Sequence, residues 1–279
     1  MQKKYIDLHV HSTASDGTLT PSELVQEAVS ANLLAFALTD HDTVDGIKEA
    51  KAAAAKTSVE LIPGVELSTE YNDKEIHMVG LFLDETNPTL LSHLARFRDS
   101  RKNRNQKMYQ KLQEEGFDIS EEALRHMFPD AVLTRAHVAR FLLDKGYIKS
   151  ISEAFETYIG DGCRCHVPRE KISPQKAIEL IRLAGGISVL AHPILYHLSD
   201  SRLRGLIEDC VSCGLLGIEA LYSTYSPSDE QYIRRLAAEY GLKLSGGSDF
   251  HGSNKPHIQL GKGKGSLAVP YEFLDGLRQ

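Results

Sequence analysis

Apolar residues set out the chain's elements before any chemistry is considered. Tyr5, Ile6, Leu8 and Val10 give the stretch Tyr5-Ile6-Asp7-Leu8-His9-Val10-His11-Ser12 the β-prone bulk of a short strand. Leu34-Ala35-Phe36-Ala37-Leu38 is apolar throughout, as expected of a buried parallel strand. Between them, Thr20-Pro21-Ser22-Glu23 reads as an N-cap, a proline at N1 and a capping box, followed by an apolar face of Leu24, Val25, Ala28 and Val29. A second helix is predicted over 44–56, a third strand over 59–62 and a fourth over 75–82. This alternation argues a parallel sheet or barrel. It breaks near Pro88. From there to about Cys165 the pattern is helical: one long helix from Pro88 to Glu115, stopped at Gly116, then shorter helices near 120–128, 134–145 and 152–159. Cys163-Arg164-Cys165-His166-Val167-Pro168 reads as the strand returning to the barrel. Alternation then resumes: a helix opened by Ser173-Pro174, a strand over 187–190, a helix over 201–212, a strand over 217–221, a helix over 228–240 and a strand over 243–245. The expected organisation is a barrel of residues 1–87 and 166–279 with a helical subdomain of residues 88–165 inserted.

A length of 279 residues suits one large domain, or one domain carrying an insertion. The net charge of −6 offers no global basic field, so stable binding of duplex nucleic acid is not expected. An anionic ligand must therefore be caught by a local basic patch or by metal. No apolar run approaches the roughly 20 residues that span a bilayer. The first strand begins too near Met1 to leave room for a signal peptide, so a cytoplasmic protein without a membrane partner is expected. Cys163, Cys165, Cys210 and Cys213 are read as buried structural thiols rather than a disulfide scaffold.

Candidate chemistry begins in the first strand. Successive strand side chains point to opposite faces, so His9 and His11 point the same way and form half of a metal site. His41, Glu66, His192, Asp249 and His251 each lie at or just after the C-terminal end of a predicted strand, the rim where barrels build active sites. His77 lies on a strand and Asp16 in the loop after the first. Six of the twelve histidines fall in this set, which scattered surface histidines would not do.

The set Asp7-Leu-His9-Val-His11-Ser12, Asp16-Gly17, Thr39-Asp40-His41-Asp42, Gly64-Val65-Glu66, His77, Ala191-His192-Pro193 and Ser248-Asp249-Phe250-His251 resembles the PHP (polymerase and histidinol phosphatase) family. Within it, the chain looks most like stand-alone phosphoesterases with a helical insertion: 3′,5′-nucleotide bisphosphate phosphatases and 5′-to-3′ exoribonucleases. The resemblance implies an α/β fold, a distorted (β/α)₇ barrel, binding up to three divalent metals. His9, His11, Glu66 and Asp249 would hold the first. Glu66 would bridge to a second, completed by His77 and His192, and Asp16, His41 and His251 would hold a third. Mixed imidazole and carboxylate ligands suit Mn²⁺, Fe²⁺ or Zn²⁺, and Mn²⁺ is the ion expected. Asp7 and Asp40 adjoin ligands and can orient imidazoles. The implied mechanism is in-line attack of a metal-activated hydroxide on phosphorus. No serine or cysteine nucleophile with a paired base stands out.

The long inserted helix carries Arg96, Arg98, Arg101, Lys102, Arg104, Lys107 and Lys111 against one acid, Asp99. It reads either as a solvated basic face or as a lip attracting a polyanion. Arg135, at a helix start, can offer a fork to a second phosphate. Arg135, His137 and Arg101 are thus the candidate substrate contacts. A phosphorylated small molecule or short oligonucleotide is the expected partner. Competing readings are a histidinol-phosphate phosphatase, for which the basic insertion is unneeded, and a non-catalytic metal-binding regulatory module, for which ligands should be missing. An amidohydrolase would leave Asp16, His41 and His251 unexplained.

Overall fold

A computed structural model describes residues 5–129, 133–168 and 172–279. Eight strands form one sheet: β1 (Tyr5–Val10), β2 (Ala35–Leu38), β3 (Glu60–Tyr71), β4 (Lys74–Leu81), β5 (Ile187–Leu190), β6 (Gly217–Tyr222), β7 (Lys243–Gly247) and β8 (Val269–Pro270), in the order β7-β6-β5-β4-β3-β2-β1-β8. The sheet curls until β7 meets β1. Asp249 N–H donates to His9 C=O at 2.9 Å, His11 N–H donates to Phe250 C=O at 3.0 Å, and Phe250 bridges Val10 in parallel. The result is a nearly closed α/β barrel, with the two-residue β8 laid antiparallel on the start of β1. Closure brings backbones very near each other. A Cβ on Gly247 would stand 2.4 Å from His9 Cβ and 2.5 Å from its backbone N, so only glycine fits there.

Strands β1, β2 and β3 run parallel, as do β5, β6 and β7. The all-parallel expectation fails at β4, which is antiparallel to both β3 and β5. The cause is local. β3 does not end at Ile62 but continues through Pro63 to Tyr71, where Asn72 and Asp73, both at positive φ (48° and 62°), turn the chain straight back. Two residues leave no room for the crossover a parallel neighbour needs. The return strand expected at 163–168 is also absent. Cys165 N–H instead donates to Tyr158 C=O, and His166 N–H to Cys163 C=O, which makes this segment turns. The chain rejoins β3 at Ile172, whose C=O accepts from Glu70 N–H at 2.9 Å.

The helices are α1 (Pro21–Ser30), α2 (Ile47–Ala54), α3 (Pro88–Glu114), α4 (Glu121–Met127), α5 (Arg135–Asp144), α6 (Ile151–Glu153), α7 (Pro174–Leu183), α8 (Asp200–Ser212), α9 (Pro227–Tyr240) and α10 (Tyr271–Leu277). The predicted capping box is formed at α1, where Thr20 and Glu23 exchange hydrogen bonds. Neither β8 nor α10 is signalled by the sequence pattern. The chain divides into two compact units, Met1–Ser92 with Lys171–Gln279, and His93–Glu170. In the first, Ile6, Leu8, Ala37, Ile62, Val79 and Val189 pack with Leu274 and Leu277 of α10. The second has its own core of Met108, Leu112, Leu124, Val138, Phe141 and Leu142.

The basic stretch of α3 splits in two. Arg96, Arg98, Lys102, Lys107 and Lys111 are exposed, whereas Arg101 and Arg104 are buried at 6% and 7% exposure. No described helix is long and apolar enough to cross a membrane. All four cysteines are free. Cys165 and Cys210 are buried as expected, but Cys163 is only half-buried, and Cys213, beyond the end of α8, is exposed.

Candidate metal centre

On β1 the period of two separates two kinds of side chain. Ile6 and Leu8 enter the apolar core, while Asp7, His9 and the following His11 share the other face. All three polar residues are fully buried. His41 lies just beyond β2 and forms a parallel bridge with Glu66. Glu66 sits within β3 rather than after its end, a consequence of that strand's extra length. His77 comes from β4. His192 follows β5 and Asp249 follows β7, each at positive φ (27° and 55°), where non-glycine backbone is strained by roughly 1–3 kcal/mol. Such strain persists only where the surroundings fix it, and here it sets two candidate ligands at the barrel rim.

The structure brings all nine candidates into one cluster, with Glu66 among them as the shared centre. Its Oε2 lies 3.2 Å from His9 Nε2, 3.2 Å from His11 Nε2 and 3.0 Å from His41 Nδ1. Its Oε1 lies 2.8 Å from His77 Nδ1 and 3.1 Å from His192 Nε2. Asp249 Oδ1 is 3.3 Å from His11 Nε2 and 3.3 Å from His251 Nδ1. Asp16 Oδ1 is 3.3 Å from His251 Nε2. Donor atoms within 4.8 Å of one another form four overlapping groups: His11-Asp16-His41-His251, His9-Glu66-His192, His9-His11-Asp249 and His41-Glu66-His77. The groups share His9, His11, His41 and Glu66, which is the arrangement adjacent ions with common ligands require.

Charge in the cluster is strongly coupled. Burial disfavours the charged form of Glu66, but His41, His77 and His9 outweigh it and hold the carboxyl well below its ordinary range. Burial likewise lowers His77, yet Glu66 and Glu75 push it up to about 10. His11 is raised to about 9 against its burial by Asp249 and Glu66. His251 goes the other way, to about 4, through burial, Lys255 and His11.

These donors fit divalent cations on a direct observation. His9 Nε2, both nitrogens of His11, His41 Nδ1, His192 Nδ1 and Glu66 Oε2 are buried without a hydrogen bond. Leaving a buried polar atom unsatisfied costs about 1–3 kcal/mol, so several in one place call for a ligand. Six imidazoles and three carboxylates with no thiolate are a donor set for Mn²⁺, Fe²⁺ or Zn²⁺.

Asp7 and Asp40 hold loops rather than rings. Asp7 accepts from Ser248 N–H (2.8 Å) and Oγ (2.5 Å), Gly261 N–H (2.8 Å) and His9 N–H (3.3 Å), tying β1 to the segment that carries Asp249. Burial raises its carboxyl to about 6. Asp40 accepts from Ser12 N–H (2.7 Å) and Oγ (2.6 Å) and from Ser15 Oγ (2.5 Å), fixing the turn before Asp16.

Three residues were not anticipated from sequence. Glu219 of β6 accepts a hydrogen bond from His9 Nδ1 (2.8 Å) through Oε1 and from His192 N–H (2.6 Å) through Oε2. A lone acid inside the apolar run Gly217-Ile218-Glu219-Ala220-Leu221 was the available signal. Tyr222 OH donates to Asp249 Oδ2 at 2.6 Å, and Lys255 Nζ does so at 2.5 Å. Nothing in the sequence around Lys255 marks it.

In the second unit, Arg135 is the first residue of α5. Its guanidinium donates to Asp161 Oδ1 at 2.7 Å, and the residue is half-buried. His137 is buried, and its Nδ1 accepts from Thr134 N–H at 3.0 Å, so this ring caps α5. Arg101 is buried on α3 rather than presented to solvent.

The PHP domain model matches residues 7–167. The chain is 40% identical over 251 residues to a 5′-3′ exoribonuclease of Haemophilus influenzae, covering 90% of this chain and 91% of that protein. It is 36% identical over 247 residues to a 3′,5′-nucleoside bisphosphate phosphatase of Chromobacterium violaceum, covering 88% and 87%. Among solved structures, a protein of Bifidobacterium adolescentis named for metal-dependent phosphoesterase activity superposes with a TM-score of 0.87 at 28% identity, covering 98% of this chain and 95% of that one.

Proposed function

From the premise that this chain belongs to the PHP family, we propose that it is a metal-dependent phosphoesterase that hydrolyses phosphate esters of nucleotides. Its substrates are 3′,5′-nucleotide bisphosphates, the 5′ end of short RNA, or both. One observation carries the reading: buried donor atoms of His9, His11, His41 and Glu66 converge without hydrogen bonds. The proposed complement is three ions, Mn²⁺ foremost, a partition the resemblance implies and the sharing of Glu66 among the groups supports. His9, His11, Glu66 and Asp249 would hold one, Glu66, His77 and His192 a second, and Asp16, His41 and His251 a third. When bound, such ions polarise a phosphoryl oxygen and lower the pKa of a coordinated water.

The chain's own residues prepare that chemistry. Glu66, with a histidine on every side, is kept ionised and offsets cationic charge at the centre. Glu219 fixes which nitrogen of His9 faces the cluster, because Nδ1–H is committed to the carboxylate. Ser12 and Ser15 donate to Asp40, and Ser248 donates to Asp7, so no serine of the cluster is paired with a histidine base. A covalent enzyme intermediate is therefore not part of the reading.

A second phosphate needs a cation beyond the ions, and Arg135 is the proposed one; His137, committed to capping α5, and Arg101, buried on α3, are weaker candidates. A charge-assisted contact is worth about 1.5–3 kcal/mol, so Arg135→Ala should lower kcat/KM for a 3′,5′-bisphosphate about 10- to 100-fold. A simple monoester such as p-nitrophenyl phosphate should lose much less. The ratio of the two kcat/KM values in wild type and variant is the test. Equal losses on both substrates, or none on either, would remove Arg135 from this role and bring histidinol phosphate forward as a substrate.

A further inference from the structure

Asp249 divides its two oxygens between two environments. Oδ1 faces the histidines, 3.3 Å from His11 Nε2, 3.3 Å from His251 Nδ1 and 3.7 Å from His9 Nε2. Oδ2 is turned to two donors, the Tyr222 hydroxyl at 2.6 Å and the Lys255 ammonium at 2.5 Å. The two donors differ in kind. Tyr222 is buried and neutral, its hydroxyl held far above the ordinary range by burial and by Asp249, so it suffices to orient the carboxylate. Lys255 adds a full positive charge beside a cluster built for cations. That placement opposes metal binding by like-charge repulsion unless an anion also comes to the site.

The lysine is held in position. It ends the short turn Gly252–Asn254, and its own N–H donates to Gly252 C=O at 3.1 Å. Within the turn, Asn254 Nδ2 donates to Asp16 C=O at 2.8 Å, and Ser253 N–H donates to Thr18 Oγ1 at 2.9 Å. The segment carrying Lys255 is thereby tied to the loop carrying Asp16. The Lys255 side chain is 39% exposed while that of Asp249 is 7% exposed, so the ammonium joins the buried carboxylate to the open rim. An ammonium has three N–H donors. Among the described residues, Asp249 is the one side-chain partner of Nζ, which leaves donors for a ligand.

We propose that Lys255 contacts the substrate, its ammonium hydrogen-bonding a non-bridging oxygen of the scissile phosphoryl group while Asp249 and the Gly252–Asn254 turn hold it there. A phosphoryl group supplies the anion that the placement of this charge requires, and a compact ammonium suits it as a point-charge partner. The inference rests on the phosphoesterase reading of the same site.

The test compares wild type, Lys255→Met, Lys255→Gln and Lys255→Arg. Bound Mn²⁺ per chain is measured by elemental analysis, and inorganic phosphate binding to the Mn²⁺-saturated proteins by calorimetry. Steady-state kinetics on a nucleotide bisphosphate follow. Lys255→Gln keeps a neutral donor to Asp249, so a folding defect in Lys255→Met does not blur the outcome. The expected result is unchanged Mn²⁺ content, phosphate Kd and substrate KM raised about 10- to 100-fold in the Met and Gln variants, and recovery in Lys255→Arg. Unchanged phosphate Kd in the fully metallated variants would overturn the proposal. So would a loss of phosphate binding that merely follows a loss of Mn²⁺, since Lys255 would then act only on Asp249. Absence of turnover in the wild type would overturn the activity, while the phosphate Kd comparison would still judge Lys255.

Discussion

Glu219 engages two of the cluster's histidines at once, one through a ring nitrogen and one through the backbone. Partners of this kind typically change metal affinity about 10- to 100-fold when removed. Glu219→Gln keeps the shape but not the charge. It should weaken Mn²⁺ binding by about that factor, with turnover at saturating Mn²⁺ falling much less. Calorimetric titration checks this, and an unchanged Kd would mean that Glu219 serves packing alone. At this scale the sequence was informative where chemistry and position coincided. His9 and His11 share a face because strand geometry requires it, and the rim positions of His192, Asp249 and His251 follow from strand ends. Glu219 was missed because a single acid inside an apolar strand looks like an interruption until the fold shows which face it occupies. Lys255 depends on how its turn is tied to the Asp16 loop across more than 200 positions of sequence, which no local pattern encodes.

Among the elements, capping signals were the most reliable. Thr20-Pro21-Ser22-Glu23 and Ser173-Pro174 begin helices because they satisfy first-turn N–H groups locally. Pro63-Gly64 was misleading. Proline and glycine suggest a strand end, yet Pro63 C=O still accepts from Leu83 N–H at 3.2 Å and Gly64 pairs with Leu81, so β3 runs on. The Asn72-Asp73 turn that follows was the readable sign of the antiparallel β4. Glycine has its structural role at closure instead. Gly247→Ala would force the His9 backbone away from β7, an overpacking defect of about 1–3 kcal/mol or more. The expected result is a lower denaturant midpoint together with weaker metal binding, because His9 moves with its strand. A variant with wild-type midpoint and wild-type Mn²⁺ affinity would show that the β1–β7 contact is looser than described.

Over the whole molecule, residues from position 9 to position 251 meet in one cluster, which only barrel closure achieves. The strand–helix alternation made the barrel legible, and the spaced set of histidines and acids made the candidate ligands legible. The sharing of Glu66 between ions is implied only by the family resemblance; its cause, Glu66 lying within a long strand where histidines from β1, β4 and the rim all reach it, is not written in any local pattern. The account stands on that cluster being an ion-holding phosphoesterase centre. The most direct measurement is a Mn²⁺ titration of chelator-stripped protein, following bound ion per chain and hydrolysis of a 3′,5′-nucleotide bisphosphate together. The account predicts no activity in the stripped protein and recovery as Mn²⁺ fills the cluster to about three ions per chain. Full hydrolysis by the stripped protein, or saturation with Mn²⁺ without any phosphate release, would contradict it.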